Sequence, residues 1–194
     1  MLLDLDVSRV KKTSIQKGDY MKENKQVTRS KEWIFTALMT LMKKNAFRNI
    51  SIGDITEKAG VARLTFYRNF ESKEDILINQ GRKIYEQLMI DLENGISGEN
   101  VPHNSIKKII SVFNDYADLF EVLLKNRLDY LIMQSFEVEI SNILKRILGI
   151  NKDDKYKVKF YEGALFAIAV EWIKNSRKES IEEMTNIIYN LIYI

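Results

Sequence analysis

Arginine and threonine side chains that suit contact with nucleic acid lie close together in this 194-residue chain. Arg63, Thr65 and Arg68 fall within a segment of six residues. A guanidinium group can donate two hydrogen bonds to the O6 and N7 atoms of guanine, and threonine offers a hydroxyl to phosphate or base and a methyl group to thymine. Arginines on a protein surface are more often simply solvated. Whether these side chains bind nucleic acid or only face water depends on the helices that hold them.

The composition excludes several kinds of chemistry. The chain has no Cys, which rules out disulfides, thiolate metal sites and cysteine nucleophiles, and its single His103 cannot build a histidine-based zinc site. The paired carboxylates Asp153-Asp154 and Glu182-Glu183 fall at polar positions that favour solvated surface. We therefore expect no enzyme, no catalytic residue, no bound metal and no cofactor.

Charge and hydropathy bear on the binding partner of the protein and on its cellular compartment. Residues 21–68 contain ten Lys and Arg against four Asp and Glu, whereas residues 76–194 contain fifteen against seventeen. A basic N-terminal third suits contact with phosphates, although the same balance also fits a solvated surface. No apolar stretch is long enough for a membrane helix, and the N-terminus lacks the apolar core of a signal peptide. We expect a cytoplasmic protein that does not bind a membrane.

A helix with clear start and stop signals precedes the arginine-containing segment. Ser51 is a natural N-cap for a helix over Ile52–Ala59, and Asp54 in the first turn complements the helix dipole. Gly60 supplies the left-handed residue that ends this helix.

The next two helices follow without spare residues. A helix is predicted over about 62–70, and Ser72 with Asp75 forms a capping-box-like start for a long helix that reaches about residue 94. An apolar stripe predicts an earlier helix over about 28–44. This layout holds the helix at 62–70 at a fixed angle on a small support, as entry into the major groove of DNA requires.

One string carries a resemblance to a known family. Tyr67-Arg68-Asn69-Phe70-Glu71-Ser72-Lys73-Glu74 resembles the most recognisable segment of the tetracycline-repressor family of bacterial transcription regulators, a Tyr-x-x-Phe followed by Ser-Lys-Glu. The resemblance extends from Ile50 to Leu77. It implies an all-α fold in which an N-terminal three-helix helix-turn-helix head is joined by a long helix to a C-terminal helical bundle for dimerisation and ligand binding.

The outward positions of the third helix and the resemblance together predict the residues that contact DNA. The resemblance implies that the Tyr67 hydroxyl binds a backbone phosphate, although Tyr67 could also pack between helices. Lys73 and Ser51 lie at the starts of helices, where backbone N–H groups and a positive charge or a hydroxyl suit a phosphate clamp. The full predicted set is Ser51, Arg63, Leu64, Thr65, Tyr67, Arg68 and Lys73.

Two positions depart from the family pattern. Ala62 stands where Ser is frequent, which removes one side-chain contact to phosphate. Leu64 stands where Gly is frequent, and although it keeps the backbone farther from DNA, it can contact a thymine methyl group. We therefore expect a distinct operator sequence.

We divide the chain into a flexible N-terminal arm at 1–27, the helix-turn-helix domain at 28–75, and an effector-binding and dimerisation domain at 76–194. We expect either that the native protein begins at Met21 or that residues 1–20 form a basic arm that touches DNA.

The C-terminal part shows further helical patterns. Asn94-Gly95, Ser97-Gly98 and Val101-Pro102 predict a loop, and an apolar stripe from Ile106 to Leu124 predicts one helix after it. Additional helices are predicted over 128–148, 155–175 and 180–193.

Two groups of residues in this part are candidates for binding. Aromatic and Met side chains could line a ligand cavity, although core packing is their more frequent role: Phe113, Tyr116, Phe120, Tyr130, Met133 and Trp172. Small and apolar residues of the last two helices suit a dimer interface: Gly163, Ala167, Met184, Ile188 and Leu191. The strings at 171–173 and 179–183 resemble the tail of a subgroup that includes activators of dihydroxyacetone-kinase genes.

The residues and the resemblance predict a sequence-specific DNA-binding transcription regulator. We expect a homodimeric repressor that binds a palindromic double-stranded DNA operator and responds to a small-molecule effector. The alternatives are a transcription activator and a DNA-binding adaptor controlled by a protein partner without any small-molecule effector. An adaptor would bind its operator with an affinity that no metabolite changes.

Overall fold

The computed structural model of the chain describes residues 25–95, 101–131, 143–144, 148–150 and 154–193, which are largely α-helical and include no β-strand. This confirms the predicted all-α fold. The helices are α1 (Lys25–Met42), α2 (Ile52–Ala59), α3 (Arg63–Asn69), α4 (Lys73–Gly95), α5 (Val101–Asp115), α6 (Ala117–Lys125), α7 (Lys155–Lys174) and α8 (Ile181–Tyr193), and a 3₁₀ turn covers Phe47–Asn49.

Two predicted segments fall mostly outside the described residues. Of the predicted arm at 1–27, only the last three residues are described, and they belong to α1. Most of the helix predicted over 128–148 also lies outside the described residues.

Both ends of α2 are formed by the residues that the sequence singled out. The Ser51 hydroxyl accepts the Asp54 N–H at 3.1 Å, and the Asp54 carboxylate accepts the Ser51 N–H at 2.8 Å, a reciprocal capping box. Gly60 ends α2 with a φ of 66°. Glycine adopts this left-handed conformation without steric cost, which lets the chain turn directly into α3.

The core of the head fixes the direction of α3. Apolar side chains from one stripe of α1 (Ile34, Leu38 and Met42) pack with Ile55 of α2 and Phe66 of α3, and all five are essentially inaccessible to solvent. Because α3 has only seven residues, its orientation depends on this burial rather than on its own hydrogen bonds.

The long helix α4 connects the head to the rest of the protein. Its 23 residues span roughly 35 Å, and it packs against α1 in the head and α5 beyond it. The Ser72 hydroxyl accepts the Asp75 N–H at 3.1 Å, as predicted, but the Asp75 carboxylate accepts the N–H of Glu71 rather than that of Ser72.

The prediction of one helix from Ile106 to Leu124 is wrong, because Tyr116 (φ −105°, ψ 19°) separates α5 from α6. The Tyr116 N–H still bonds to the Val112 carbonyl, and the Tyr116 carbonyl still accepts the Phe120 N–H. Helical spacing therefore continues across the break, and the apolar pattern does not register it.

Val101 and Pro102 belong to the first turn of α5 rather than to the predicted loop. Proline is tolerated there because first-turn N–H groups have no acceptor within the helix.

Two large apolar clusters pack the described helices against one another. The head core continues into α6 through Leu119, Phe120 and Leu123, so α6 packs with the head although it follows α5 in sequence. A second cluster joins α4, α5, α7 and α8 and includes Leu88, Ile106, Ile110, Trp172, Met184 and Ile188.

Candidate nucleic-acid interface

α3 presents cationic, apolar and aromatic side chains to solvent. Arg63 and Arg68 are exposed, and Leu64 and Tyr67 expose 60% and 53% of their surface. The opposite side of the helix carries Phe66, which is fully buried. One face of α3 is thus anchored in the head core while the other is open to a partner.

Thr65 lies at the edge of the exposed face. Its side chain is half-buried, and its carbonyl accepts a 2.7 Å hydrogen bond from the Asn69 amide near the end of the helix. Thr65 is therefore less accessible than its neighbours Leu64 and Tyr67.

The structure does not support the predicted phosphate clamp at Ser51. The Ser51 hydroxyl donates to the Asp54 carboxylate at 2.7 Å as well as capping α2. Hydrogen bonds from the Ser51 N–H and then from its hydroxyl hold the pKa of Asp54 below its usual value, so the carboxylate is ionised at neutral pH. A negative charge at the start of α2 repels phosphate, and Ser51 serves the helix instead.

Lys73, the other predicted phosphate clamp, makes contacts within the protein. Its ammonium donates hydrogen bonds to the carbonyls of Phe47 at 2.7 Å and Ile50 at 2.8 Å, and it lies 4.4 Å from the centroid of the Phe47 ring. These contacts fasten the loop between α1 and α2 to the start of α4. Two of the three N–H donors of this partly buried ammonium are engaged within the protein, and the predicted contact with phosphate stays a prediction.

Asn126 was missed by the sequence reasoning. Its side-chain oxygen accepts the Phe47 N–H at 2.9 Å, and its side-chain nitrogen donates to the Val122 carbonyl at 2.8 Å. Asparagine after a helix is a familiar C-cap, which is the only signal in the sequence. The contact with a residue 79 positions away leaves no local pattern.

The side chains predicted to line a ligand cavity do not converge on one site. Phe113 and Phe120 stack with ring centroids 4.8 Å apart. Trp172 is buried and its indole N–H donates to the Glu179 carbonyl at 3.0 Å, so its polar group is satisfied within the protein. Tyr130 is exposed, and Met133 lies outside the described residues.

A small apolar cavity lies between α5, α7 and α8, and of the predicted set it includes Phe113. Its volume is about 30 Å³, and its other walls include Ile106, Ile110, Leu165, Ala169 and Ile188. Ligand pockets commonly hold roughly 300–1,000 Å³, so this cavity would have to open to admit a ligand. Tyr116 instead borders an open groove of about 310 Å³ beside α1.

For two of the five residues predicted to form a dimer interface, the prediction is wrong. Met184 and Ile188 are buried and belong to the cluster in which α8 packs along α5, so they stabilise the chain itself. Gly163, Ala167 and Leu191 are exposed, as an interface requires.

The exposed residues belong to a larger apolar surface. Tyr156, Phe160, Gly163 and Ala167 follow one another at spacings of four, three and four residues, which places them on one face of α7. Phe160 exposes 68% of its surface, and Ile187 and Leu191 are exposed one turn apart on α8. We refer to these six residues as the α7/α8 surface. The spacing of Tyr156 from Phe160 could have revealed its membership from the sequence.

Within the described ranges, no group of three or more histidine and acidic side chains is arranged to hold a metal ion. Among the same residues, no helix combines the length and the hydropathy needed to cross a membrane.

Sequence comparisons identify family models in both halves of the chain. The model described as "Bacterial regulatory proteins, tetR family" matches residues 34–79, which include α2 and α3. The model described as "Transcriptional regulator C-terminal region" matches residues 100–193. Among curated proteins, no sequence matches significantly.

Several solved structures share the fold. Lin0861 from Listeria innocua aligns with a TM-score of 0.73 at 18% identity over 87% of this chain and 91% of its own. FadR from Bacillus subtilis, in complex with stearoyl-CoA, aligns with a TM-score of 0.62 at 22% identity over 83% and 96%. The dihydroxyacetone kinase operon activator DhaS aligns with a TM-score of 0.56 at 22% identity over 84% and 93%. Because family models match both the head and the remainder, the chain belongs to the tetR family of bacterial regulatory proteins and is a DNA-binding transcription regulator, not an enzyme.

Proposed function

We propose that the protein is a cytoplasmic, homodimeric repressor that binds a palindromic double-stranded DNA operator through α3 of each subunit. The observation that carries this proposal is the exposed face of α3, with Arg63, Leu64, Tyr67 and Arg68 on a helix that Phe66 anchors. Guanidinium groups suit guanine edges and phosphates, and Leu64 suits a thymine methyl group.

A second copy of the chain would cover the α7/α8 surface. Phe160, Leu191 and Ile187 are apolar and exposed, and burying them against the same surface of a partner removes them from water. A dimer also presents two copies of α3, which is what a palindromic operator requires.

In vitro selection from a random pool of double-stranded DNA tests this proposal. We expect an enriched palindrome whose half-sites lie about 34–36 Å apart, or a multiple of that distance. Arg63→Ala should relax the sequence preference at one base pair in each half-site. Arg82 is an exposed arginine of α4, away from α3, and Arg82→Ala should select the same sequence as the wild type. Failure to enrich any sequence at physiological salt would leave only non-specific attraction to phosphate and would overturn the proposal.

We further propose that the effector carries a long apolar chain. The cavity between α5, α7 and α8 is lined by aliphatic and aromatic side chains, including Ile106, Phe113 and Leu165, and offers almost no polar surface. FadR from Bacillus subtilis, which has a similar fold, binds stearoyl-CoA. An acyl chain entering the cavity would separate these helices.

Titration of the operator complex with stearoyl-CoA, and with coenzyme A as the control, tests the effector class. Release of DNA by stearoyl-CoA but not by coenzyme A is the expected result, because only the former has an acyl chain. If neither compound changes operator affinity and calorimetry detects no binding, this effector class is wrong for the protein.

Activation rather than repression is the second candidate. The fold similarity to DhaS, an operon activator, favours it. Transcription in vitro from a promoter that carries the selected operator separates the two, since a repressor lowers transcript yield and an activator raises it. Operator affinity that no tested metabolite alters would support the protein-controlled adaptor.

A further inference from the structure

A side chain at the end of α6 fastens the body of the protein to the loop that precedes the DNA-binding helices. The Asn126 side-chain oxygen accepts the Phe47 N–H at 2.9 Å, across 79 residues of sequence. Asn126 caps the end of α6, and Phe47 begins the 3₁₀ turn between α1 and α2. We infer that Asn126 is a positioning residue that couples the apolar cavity to the orientation of the DNA-binding head.

The Asn126 side chain is held in one orientation. Its amide nitrogen donates to the Val122 carbonyl at 2.8 Å, one turn earlier in α6, which directs its oxygen toward Phe47. Both hydrogen bonds are partly buried. A displacement of the end of α6 therefore moves the acceptor away from the Phe47 N–H and leaves that group unsatisfied, which is costly away from water.

The loop that receives this bond is also fixed to α4. The Lys73 ammonium donates to the carbonyls of Phe47 and Ile50 and lies over the Phe47 ring, which is buried in the head core. The 3₁₀ turn is thus held from α6 on one side and from α4 on the other. Since α2 starts at residue 52, immediately after this loop, a shift of the loop changes the position of α2 and α3.

Packed side chains connect α6 to the cavity. Phe113 lines the cavity, and its ring stacks on that of Phe120 in α6 at 4.8 Å. Asn126 follows Phe120 by six residues, about 9 Å along a helix. The other polar link nearby, between Lys43 and Asp118 at 3.7 Å, is highly exposed and contributes little. Among the residues that the structure describes, Asn126 therefore provides the partly buried directional contact between the two regions.

This inference rests on the proposed ligand response, but its test needs no effector. Coupling between two sites is reciprocal, so operator binding at the head must alter the stability of the cavity wall. Hydrogen–deuterium exchange of the full-length protein, with and without the selected operator, measures that effect in a peptide covering residues 105–115. In the wild type we expect operator binding to change exchange there about fivefold or more.

Three variants distinguish coupling from general destabilisation. Asn126→Ala should abolish the operator-induced change at 105–115, whereas Asn126→Asp, which keeps an oxygen acceptor for the Phe47 N–H but loses the bond to the Val122 carbonyl, should retain part of it. Asn175→Ala removes a comparable side chain that caps α7 and bonds Glu171, and should also retain the change. A wild-type protein without any operator-induced change, or Asn126→Ala with an undiminished one, would overturn the inference.

A measurement on the wild type alone covers the case in which Asn126→Ala does not fold. The Phe47 amide should exchange at least about tenfold more slowly than in an unstructured peptide, because it is hydrogen-bonded to Asn126. Exchange at the unstructured rate would overturn the inference. Calorimetry with stearoyl-CoA is evaluated separately, so failure of the proposed effector class leaves the result for Asn126 standing.

Discussion

The exposed face of α3 and the α7/α8 surface are both open to solvent in the single chain, yet their chemistry differs. α3 has seven residues and exposes two arginines beside Leu64 and Tyr67. α7 and α8 have 20 and 13 residues and expose Phe160, Leu191 and the small residues between them. A short cationic face suits a charged groove, whereas a long apolar face suits burial against another apolar face. This difference supports the proposal that the first surface binds DNA and that the other binds a second copy of the chain.

Both surfaces lie on helices that also carry side chains buried in the core. These buried side chains hold the helices in place: Phe66 anchors α3, while Trp172 and Ile188 anchor α7 and α8. Substitutions on the exposed sides therefore change binding without removing core contacts.

The largest expected effect comes from charging the α7/α8 surface. Phe160→Glu combined with Leu191→Glu should give a folded monomer, and operator affinity should fall roughly 100-fold or more because two linked heads bind far more tightly than one. Light scattering coupled to size exclusion measures the mass, and fluorescence anisotropy measures the affinity.

Ile90→Glu is the matched control, because Ile90 is an exposed apolar residue of α4 outside the α7/α8 surface. It should leave both measurements unchanged. A dimer that persists with both glutamates present would mean that the second copy binds elsewhere.

On α3, Arg63→Ala should weaken operator binding by about 1–3 kcal/mol and relax specificity at one base pair. Tyr67→Phe removes only a hydroxyl and should cost about 0.5–1.5 kcal/mol at every sequence alike. Anisotropy with the selected operator and with single-base variants separates the two patterns. If both variants bind the operator like the wild type, the exposed face of α3 is not the one that meets DNA.

Local signals explain which parts of the structure were predictable. The ends of α2 follow from Ser51 and Gly60, since a cap and a left-handed turn depend on neighbours within four residues. The exposed face of α3 was predicted from the family resemblance together with the outward positions of the helix, rather than from a cap or a turn. The break at Tyr116 was missed because the hydrogen bonds on either side keep the helical spacing.

Long-range contacts explain what was not predictable. The sequence places Lys73 at a helix start, but not the carbonyls 23 and 26 residues earlier that accept its hydrogen bonds. Similarly, α8 carries apolar residues around much of its circumference, and only packing along α5 shows that Met184 and Ile188 face inward while Leu191 faces outward. Periodicity identifies a stripe but not the element that covers it.

The capping boxes at the starts of α2 and α8 allow a test of whether Ser51 contacts DNA. Ser51→Ala should lower the free energy of unfolding by about 1 kcal/mol, and so should Ser180→Ala, because Ser180 and Glu183 form the same reciprocal bonds at the start of α8. Urea titration measures both. Operator affinity should change little in either variant; a loss specific to Ser51→Ala, at equal stability, would restore Ser51 as a phosphate contact.

The contribution of the α2 cap depends on pH with a defined sign. Since the pKa of Asp54 in the folded protein lies below its ordinary value of 3.8, the ionised carboxylate stabilises the fold above pH 3.8, and this contribution is lost as the pH falls through the lowered pKa. The difference in unfolding free energy between wild type and Ser51→Ala should therefore shrink below pH 3.8. Alanine keeps the backbone N–H that binds the carboxylate, so a difference that stays constant would show that the bond between the Ser51 hydroxyl and the Asp54 carboxylate does not contribute.

Gly163→Ala has the smallest expected effect on the chain and separates its stability from its association. A Cβ at Gly163 would meet no atom within 4 Å, so alanine should raise the free energy of unfolding of the monomer by about 0.5–1 kcal/mol through helix propensity. In the dimer the same methyl group would hold the facing helices apart and weaken association. Chemical unfolding of the Phe160→Glu, Leu191→Glu monomer, with and without Gly163→Ala, measures the change in stability. Sedimentation of the Gly163→Ala protein measures the change in association. Unchanged association would place Gly163 at the rim of the dimer interface, and the centre of that interface would then lie at Phe160 and Leu191.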